Sequence, residues 1–573
     1  MSLHRSPFTL HPSPFTAEAS DNEGAASSAK GIERMLEEAE ASGIEQLDAT
    51  SLKQLLLSLE KKITKNQKMR MKYADEAEKF MDSEIELHAE VENLFAVAAS
   101  PELYPILVDA GAVDSILGLL AHENTDISIA IVNLIQEMTD ADAVSEQLEA
   151  AMTFVHAFTA RQGVELVVQN LSRLDQDSEE DEQGVHNSLS IIENLVEISP
   201  LSAVSICDKT HILSFLLRRC AGKTFGANKL YASEVLSILL EADPRNGEKL
   251  CALSEVDGMD SLLQCVALYR KKEVSASDEQ ECVENLFLCL CAVLQSRENQ
   301  GRFLQCEGFE LLIRCLKEQQ YAAGCTITAL SYSLTRNRAC CERFVDVGGL
   351  KYVFPLLTGG GVKKILKKKA SGERRNVEES AISILAQLCM YLCRSTHNDY
   401  SARLLNKFVE REHEKLERCV ELYGKYSRLL EFTDEQIEAT RAELVDSGAD
   451  EEELAEFDEG ENINSKRLEG GLFLLQQLSV ILAFVCISDE GCLKRAASRL
   501  VVQQLSANEV LETVRGVILT LRAEEMDEGG AGSSSSSQVS SKSPEEKQLD
   551  DEYRQTLTEW CAVLASSIIA LEE

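Results

Sequence analysis

Between residues 15 and 543 the chain carries only five prolines: Pro101, Pro105, Pro200, Pro244 and Pro355. A proline removes a backbone donor and clashes with the preceding turn, so helix interiors exclude it while loop-rich β folds use it freely. The other four lie at the ends, Pro7, Pro12 and Pro14 near the start and Pro544 beside a serine-rich stretch. A mostly helical body follows. Apolar residues make up 44% and charged residues 27% of the 573 positions, enough to build and solubilise a large core. That length suggests about four ordinary domains, unless a repeat makes the count meaningless.

A repeat is present. From Pro101 to Asp140 a short helical run, Leu103 to Val108, meets the small-residue corner Ala110-Gly111-Ala112. A second helix is expected from Val113 to Leu120, then a polar break at His122 to Asp126, then a longer apolar helix from Ile127 to Met138. Three helices in about 40 residues is the content of an armadillo repeat. The second helices open at Val113, Val164, Ile212, Met259, Phe309 and Leu350, at spacings of 51, 48, 47, 50 and 41. The residue before each is Ala112, Gly163, His211, Gly258, Gly308 or Gly349. Glycine is expected there because one helix must end in a left-handed conformation before the next begins. The third helices share the pattern Val/Ile-x-Asn-Leu at Val91 to Leu94, Ile131 to Leu134, Ile192 to Leu195 and Val283 to Leu286. One such repeat cannot bury its apolar face alone, so the units must stack. The expected fold class is all-α, an armadillo/HEAT-like α-solenoid superhelix with N-terminal capping helices and a C-terminal helical region.

Composition divides the chain. Residues 1–50 read as a mostly disordered tail, Ser/Pro/Ala-rich over residues 1–30. Residues 51–92 read as capping helices: a basic amphipathic helix from Leu52 to Tyr73, then an acidic one from Asp75 to Glu92. The repeats occupy 93–395 and a C-terminal helical region 396–524. Within that region Leu404 to Leu430 reads as one long helix, with Val409, Leu416, Tyr423 and Leu430 at spacing seven. That side wants a partner helix, within the chain or in a homodimeric coiled coil. Glu431 to Glu461 is an acidic segment with 14 acidic residues and one arginine. Gly470 to Ser488 carries no charge, but Gln476, Gln477 and Ser479 at its middle favour a buried helix over a membrane span. Residues 525–546 read as a disordered serine-rich linker. The final helix, 547–573, offers Tyr553, Leu557, Trp560 and Leu564 for docking.

The net charge of −39 repels phosphate, which argues against a general nucleic-acid or anionic-membrane binder and against direct DNA binding. The 18 cysteines show no C-x-x-C spacing and fall in apolar runs, as buried free thiols do in a reducing compartment. Met1 to Ser20 lacks the apolar core of a secretion signal. Catalytic patterns are missing. Ala221 to Thr224 resembles the end of a P-loop, but the required first glycine is Leu217. Gly359 to Gly361 is loop punctuation, and the nine histidines make no zinc motif. Cys340-Cys341 has no base nearby in sequence. The chain reads as a non-enzyme with no catalytic residues, no metal site and no cofactor.

What remains is surface. Each asparagine of the third-helix pattern, Asn93, Asn133, Asn194 and Asn285, has a glutamate one turn away: Glu90, Glu137, Glu197 and Glu281 respectively. Glu193 lies beside Asn194. An asparagine amide can bond the backbone of an extended peptide, while glutamates meet its lysines and arginines. The competing reading is that the asparagines join neighbouring repeats and the glutamates are ordinary solvated charges. The basic loop Lys363, Lys364, Lys367, Lys368, Lys369, Arg374 and Arg375 fits a nuclear import signal or an RNA contact.

Several longer segments resemble a known family. Lys65-Asn66-Gln67, Lys72 to Asp75, Glu78 to Glu84, Asn124 to Ala130, Gly184 to Asn187, Ala227 to Leu236, Arg403 to Phe408 and Gly471 to Phe473 are similar to the beta-catenin-like protein 1 family. The resemblance spans roughly Leu52 to Arg522. It implies a nuclear armadillo scaffold of the pre-mRNA splicing machinery, associated with the spliceosomal nineteen complex. It also implies partners: basic nuclear-localisation-type segments of splicing factors, notably the cell-division-cycle-5-like protein. A nuclear transport cargo adaptor recognising basic linear motifs is the alternative. Two departures stand out. Residues 1–50 hold only Arg5, Lys30 and Arg34 where the family carries a basic import signal. The Trp-x-x-x-Asn pairs of importin grooves are absent, with Ala89, Ile129, Ser190 and Glu281 in the tryptophan positions.

Overall fold

The computed structural model describes residues 47–140, 147–174, 178–254, 257–359, 371–393, 398–448, 453–454, 457, 461–530 and 544–572. Among these every regular element is helical. The chain divides after Gly258 into two compact units. Neither the repeat spacing nor the composition announces that boundary.

In the first unit, α1 (Ala49–Lys72) starts at Asp48, whose carboxylate accepts from the Thr50 and Ser51 amides at 3.1 and 2.7 Å. It runs against α2 (Met81–Asn93) through Lys62–Glu90 at 2.9 Å, Lys65–Glu86 at 2.7 Å and the buried Asn66–Ser83 hydrogen bond at 3.1 Å. The acidic helix therefore begins at Met81, later than the sequence pattern suggests, because a single 3₁₀ turn, Ala77–Lys79, intervenes. Next come the long helices α3 (Thr125–Thr139), α4 (Glu179–Ile198) and α5 (Ala227–Ala242). Helices α2 to α5 pack side by side in chain order. Short helices Ala112–Leu119, Gly163–Leu171 and Ile212–Cys220 each pack on the long helix that follows, as the three-helix reading requires.

The contacts fix direction. Gly184 of α4 lies against Ile129 of α3, Asn187 donates to Asn133 at 2.8 Å, and Asn194 donates to Thr139 at 3.4 Å. Contacts that advance together along both helices mean α3 and α4 are parallel. The same holds for α4 and α5, where Asn228 donates to the Glu182 carbonyl and the tilted rings of Tyr231 and His186 lie 4.4 Å apart.

The second unit repeats the arrangement with α6 (Ser277–Val293), α7 (Ala322–Leu334) and α8 (Ser371–Leu392). Beyond them lie α9 (Glu414–Ser447), α10 (Leu472–Ser488), α11 (Glu490–Val502), α12 (Ala507–Gly530) and α13 (Pro544–Glu572). Helix α10 packs on α8, α9, α11, α12 and α13, which explains its lack of charge. No single helix among the described residues is long and apolar enough to cross a membrane. Trp560 of α13 is buried, 5.8 Å from Phe484 of α10, so the last helix docks as expected.

Two expectations need correction. The single helix from Leu404 to Leu430 is broken, because Arg411, Glu412 and His413 take three successive left-handed conformations between Asn398–Val409 and α9. Leu416, Tyr423 and Leu430 are buried within the unit, where α9 packs on α10 and α11, and Val409 falls outside that helix. The glycine corners also work differently. The left-handed residues are Gly111, Gln162, Glu307 and Gly348, each one position before the predicted residue. Gly163, Gly308 and Gly349 are there for space: a Cβ on each would sit 2.4, 2.2 or 2.3 Å from the ring of Phe158, Phe303 or Phe344, five residues earlier. A phenylalanine folded back under the next helix start is thus a recurrent corner.

No cysteine is in a disulfide, and all but Cys306, Cys325 and Cys393 are buried. Burial pushes the Cys340 thiol up to about 12, as an inert core cysteine requires. Gly308→Ala is expected to cost about 1–3 kcal/mol by overpacking the Phe303 ring. Phe303→Leu in the same chain should recover part of that loss, which chemical denaturation of the two single variants and the double variant will measure.

Candidate functional site

The predicted surface residues separate once their neighbours are known. Glu90 is buried at 5% exposure and paired with Lys62. Asn194 is buried, its amide spent on Thr139 of the preceding long helix, and Asn133 accepts from Asn187. Glu193 accepts the Tyr231 hydroxyl of α5, and Glu284 likewise accepts Tyr321 at the start of α7. Both glutamates hold the second position of the Val/Ile-x-Asn-Leu pattern, so this part of the motif joins adjacent repeats. Asn93 is exposed at the end of α2. Asn285 is buried and Glu281 exposed on α6, in the second unit. Lys363, Lys364, Lys367, Lys368 and Lys369 lie outside the described residues, while Arg374 and Arg375 fall in the first turns of α8.

Glu137 and Glu197 remain exposed, with no ion pair among the described residues. They share one location, the last turns of α3 and α4, and a third residue joins them: Glu241, in the last turn of α5. Because these helices are parallel and adjacent, the last turns that carry these three residues lie along one edge. None of the three last turns holds a basic residue. A helix C-terminus carries about half a negative charge, so acidic groups here add to the dipole instead of opposing it. Desolvation pushes the Glu241 carboxyl above the ordinary glutamate range, as expected for a carboxylate without a cation. The edge is an array of negative potential suited to Lys or Arg.

Glu241 escaped the motif reading because α5 has Ser237-Ile238-Leu239 where the other helices carry the asparagine pattern. The missing basic residue at the ends of three successive long helices was the available signal. In the second unit, nitrogen, oxygen and sulfur atoms of His413, Asp489 and Cys492 lie within 4.8 Å of one another. Asp489 is the N-cap of α11, accepting the Cys492 amide at 2.7 Å, and burial raises the Cys492 thiol to about 12. A helix N-terminus repels cations, so this group is read as a cap and not as a set of metal ligands.

A family model described as catenin-beta-like, Arm-motif containing nuclear matches residues 30–515. The chain belongs to this catenin-beta-like family. Human beta-catenin-like protein 1 is 40% identical over 443 residues, covering 77% of this chain and 76% of that protein. The beta-catenin-like protein 1 homolog of Schizosaccharomyces pombe is 30% identical over 477 residues, covering 82% and 79%. Among solved structures, an engineered protein aligns at 13% identity over 83% of this chain and 95% of its own, with a TM-score of 0.40. A chain from a study of a phosphorylation switch between cadherin and beta-catenin aligns at 13% identity over 83% and 81%, with a TM-score of 0.38. Membership of the Arm-motif family and the all-helical described residues agree with the armadillo-type α-solenoid expected from the spacing.

The raised Glu241 pKa has a stability consequence. A carboxyl with a higher pKa in the folded than in the unfolded chain favours folding below the unfolded value and loses that contribution as pH rises through the folded one. Glu241→Gln should therefore match the parent chain near pH 4 and exceed its urea midpoint at pH 7.

Proposed function

We propose that the chain is a nuclear, non-enzymatic scaffold of the pre-mRNA splicing machinery that holds basic linear segments of splicing factors across Glu137, Glu197 and Glu241. Membership of a family described as nuclear supports the location. The acidic row carries the binding reading. Neighbouring helices stand about 8–10 Å apart, so successive carboxylates face residues about three positions apart in an extended peptide. The preferred ligand presents Lys or Arg at every third residue, with the glutamates pairing to the cations by charge-assisted hydrogen bonds. Asn133 and Asn93 flank the row and are its candidate backbone contacts. By family resemblance the cell-division-cycle-5-like protein is the first partner to try, in the setting of the nineteen complex.

The test is fluorescence anisotropy with a peptide of such spacing. Reversing Glu137, Glu197 and Glu241 to Lys should weaken binding at least about tenfold, since each exposed pair contributes roughly 0.2–1 kcal/mol and reversal adds repulsion. Parent affinity should also fall as salt is raised. Unchanged affinity in the triple variant, or binding indifferent to salt, would remove this edge as the site. Steady nuclear residence of the tagged chain fits a scaffold, whereas shuttling at the nuclear rim points to a cargo adaptor.

A further inference from the structure

In the second unit the left-handed run Arg411 to His413 borders a cavity of about 490 Å³, lined by Glu412, His413, Gly491, Lys494, Arg495 and Ser498. That volume is in the range of small-ligand sites. One wall is the break before α9, and the other is the start of α11. Three successive left-handed residues, none of them glycine, make a costly backbone, and such strain gathers at ligand clamps and switch regions. The His413 ring lies against the opposite wall, since a Cβ on Gly491 would sit 4.0 Å from its Nε2.

The charges here do not cancel pair by pair. Arg495 and Arg499 both bond Glu417, so two guanidinium groups share one carboxylate. The Arg499 Nε is buried with no hydrogen-bond partner among the described residues. Lys494 pairs only with Glu490, one turn earlier, and the two side chains are 60% and 77% exposed, so that pair is weak. The Ser498 hydroxyl and the His413 ring make no hydrogen bond among the described residues. The Glu490 and Gly491 amides, in the first turn of α11, have no acceptor within the helix. Against these donors the lining offers a single carboxylate, that of the exposed Glu412. In a chain of net charge −39 this is a local exception. The helix start that disfavours a metal cation favours an anion.

We propose that this cavity binds one phosphate group, carried on a phosphorylated segment of a partner protein. Lys494 and Arg495 supply the charge, and Ser498, the His413 ring and the Gly491 amide supply further donors. A phosphate monoester brings close to two negative charges and three strong acceptor oxygens, which matches a surplus of donors of this kind. A single cavity flanked by Glu412 and Glu490 suits an isolated phosphate. The repeated phosphates of a nucleic acid need a continuous basic stripe instead. The site lies on the second unit, apart from the acidic edge of α3 to α5, so the two readings stand or fall independently.

The test is equilibrium dialysis of the full chain against radiolabelled inorganic phosphate at fixed ionic strength, with the tripeptide acetyl-Gly-phosphoserine-Gly-amide as competitor. The parent chain should retain phosphate, and the phosphorylated tripeptide should displace it while the unphosphorylated form does not. Lys494→Glu, at an exposed position, should weaken retention about fivefold, the upper scale of an exposed ion pair. Glu412→Gln should tighten it about twofold by removing the one opposing carboxylate, a gain that a damaged fold cannot imitate. No retained phosphate, equal retention in the parent and in Lys494→Glu, or phosphate that the phosphorylated tripeptide fails to displace would each overturn the proposal.

Discussion

Parallel packing of the long helices is the constraint on which the first unit depends. A helix leaves its last carbonyls without intrahelical partners, and parallel neighbours bring all of those ends to the same edge. Some of the debt is settled internally. The buried Asn246 amide donates to the Leu239 carbonyl near the end of α5 at 2.7 Å, and Asn299 does the same for Val293 of α6 in the second unit at 3.1 Å. The alignment of dipoles is not cancelled by any basic residue in the last turns of α3, α4 and α5. Stacking for the sake of the core thus creates a negative edge as a by-product, and Glu137, Glu197 and Glu241 strengthen it.

The corners serve the same packing. Each must turn the chain tightly enough for the second helix to return onto the third. Folding Phe158, Phe303 and Phe344 back beneath the next helix start buries a large ring at the sharpest point, and the ring leaves no room for a Cβ at Gly163, Gly308 and Gly349. Gln162 and Glu307 hold left-handed conformations that suit glycine better, at about 1–2 kcal/mol each. Burial of an aromatic side chain is large enough to offset that strain.

Much of the architecture was readable because it rests on local chemistry. Proline scarcity, the recurring corner and the apolar period of Ile127 to Met138 each reflect steric or burial rules that act within a few residues. The break at Arg411 to His413 was not readable, since neither glycine nor proline marks it and the backbone there is set by the packing of α9 on α10 and α11. The four asparagines were recognised as a class, yet their spacing could not say which side chain would meet them. Asn133 and Asn194 are engaged by the adjoining long helices through partners 54 and 55 residues away. Glu241 carries no motif at all, and only the neighbours of α5 give it meaning.

Residue pattern alone therefore established an all-α armadillo chain, its approximate repeat boundaries, its buried free cysteines and its acidic character, because helix periodicity and proline sterics are local. The division after Gly258, the parallel order of the long helices, the ring-filled corners and the choice of which glutamates stay free came from tertiary packing. The reason is distance: a carboxylate beside an asparagine or one turn from it is the same in sequence whether it meets Lys62, a tyrosine hydroxyl or water, and only the folded chain distinguishes these neighbours.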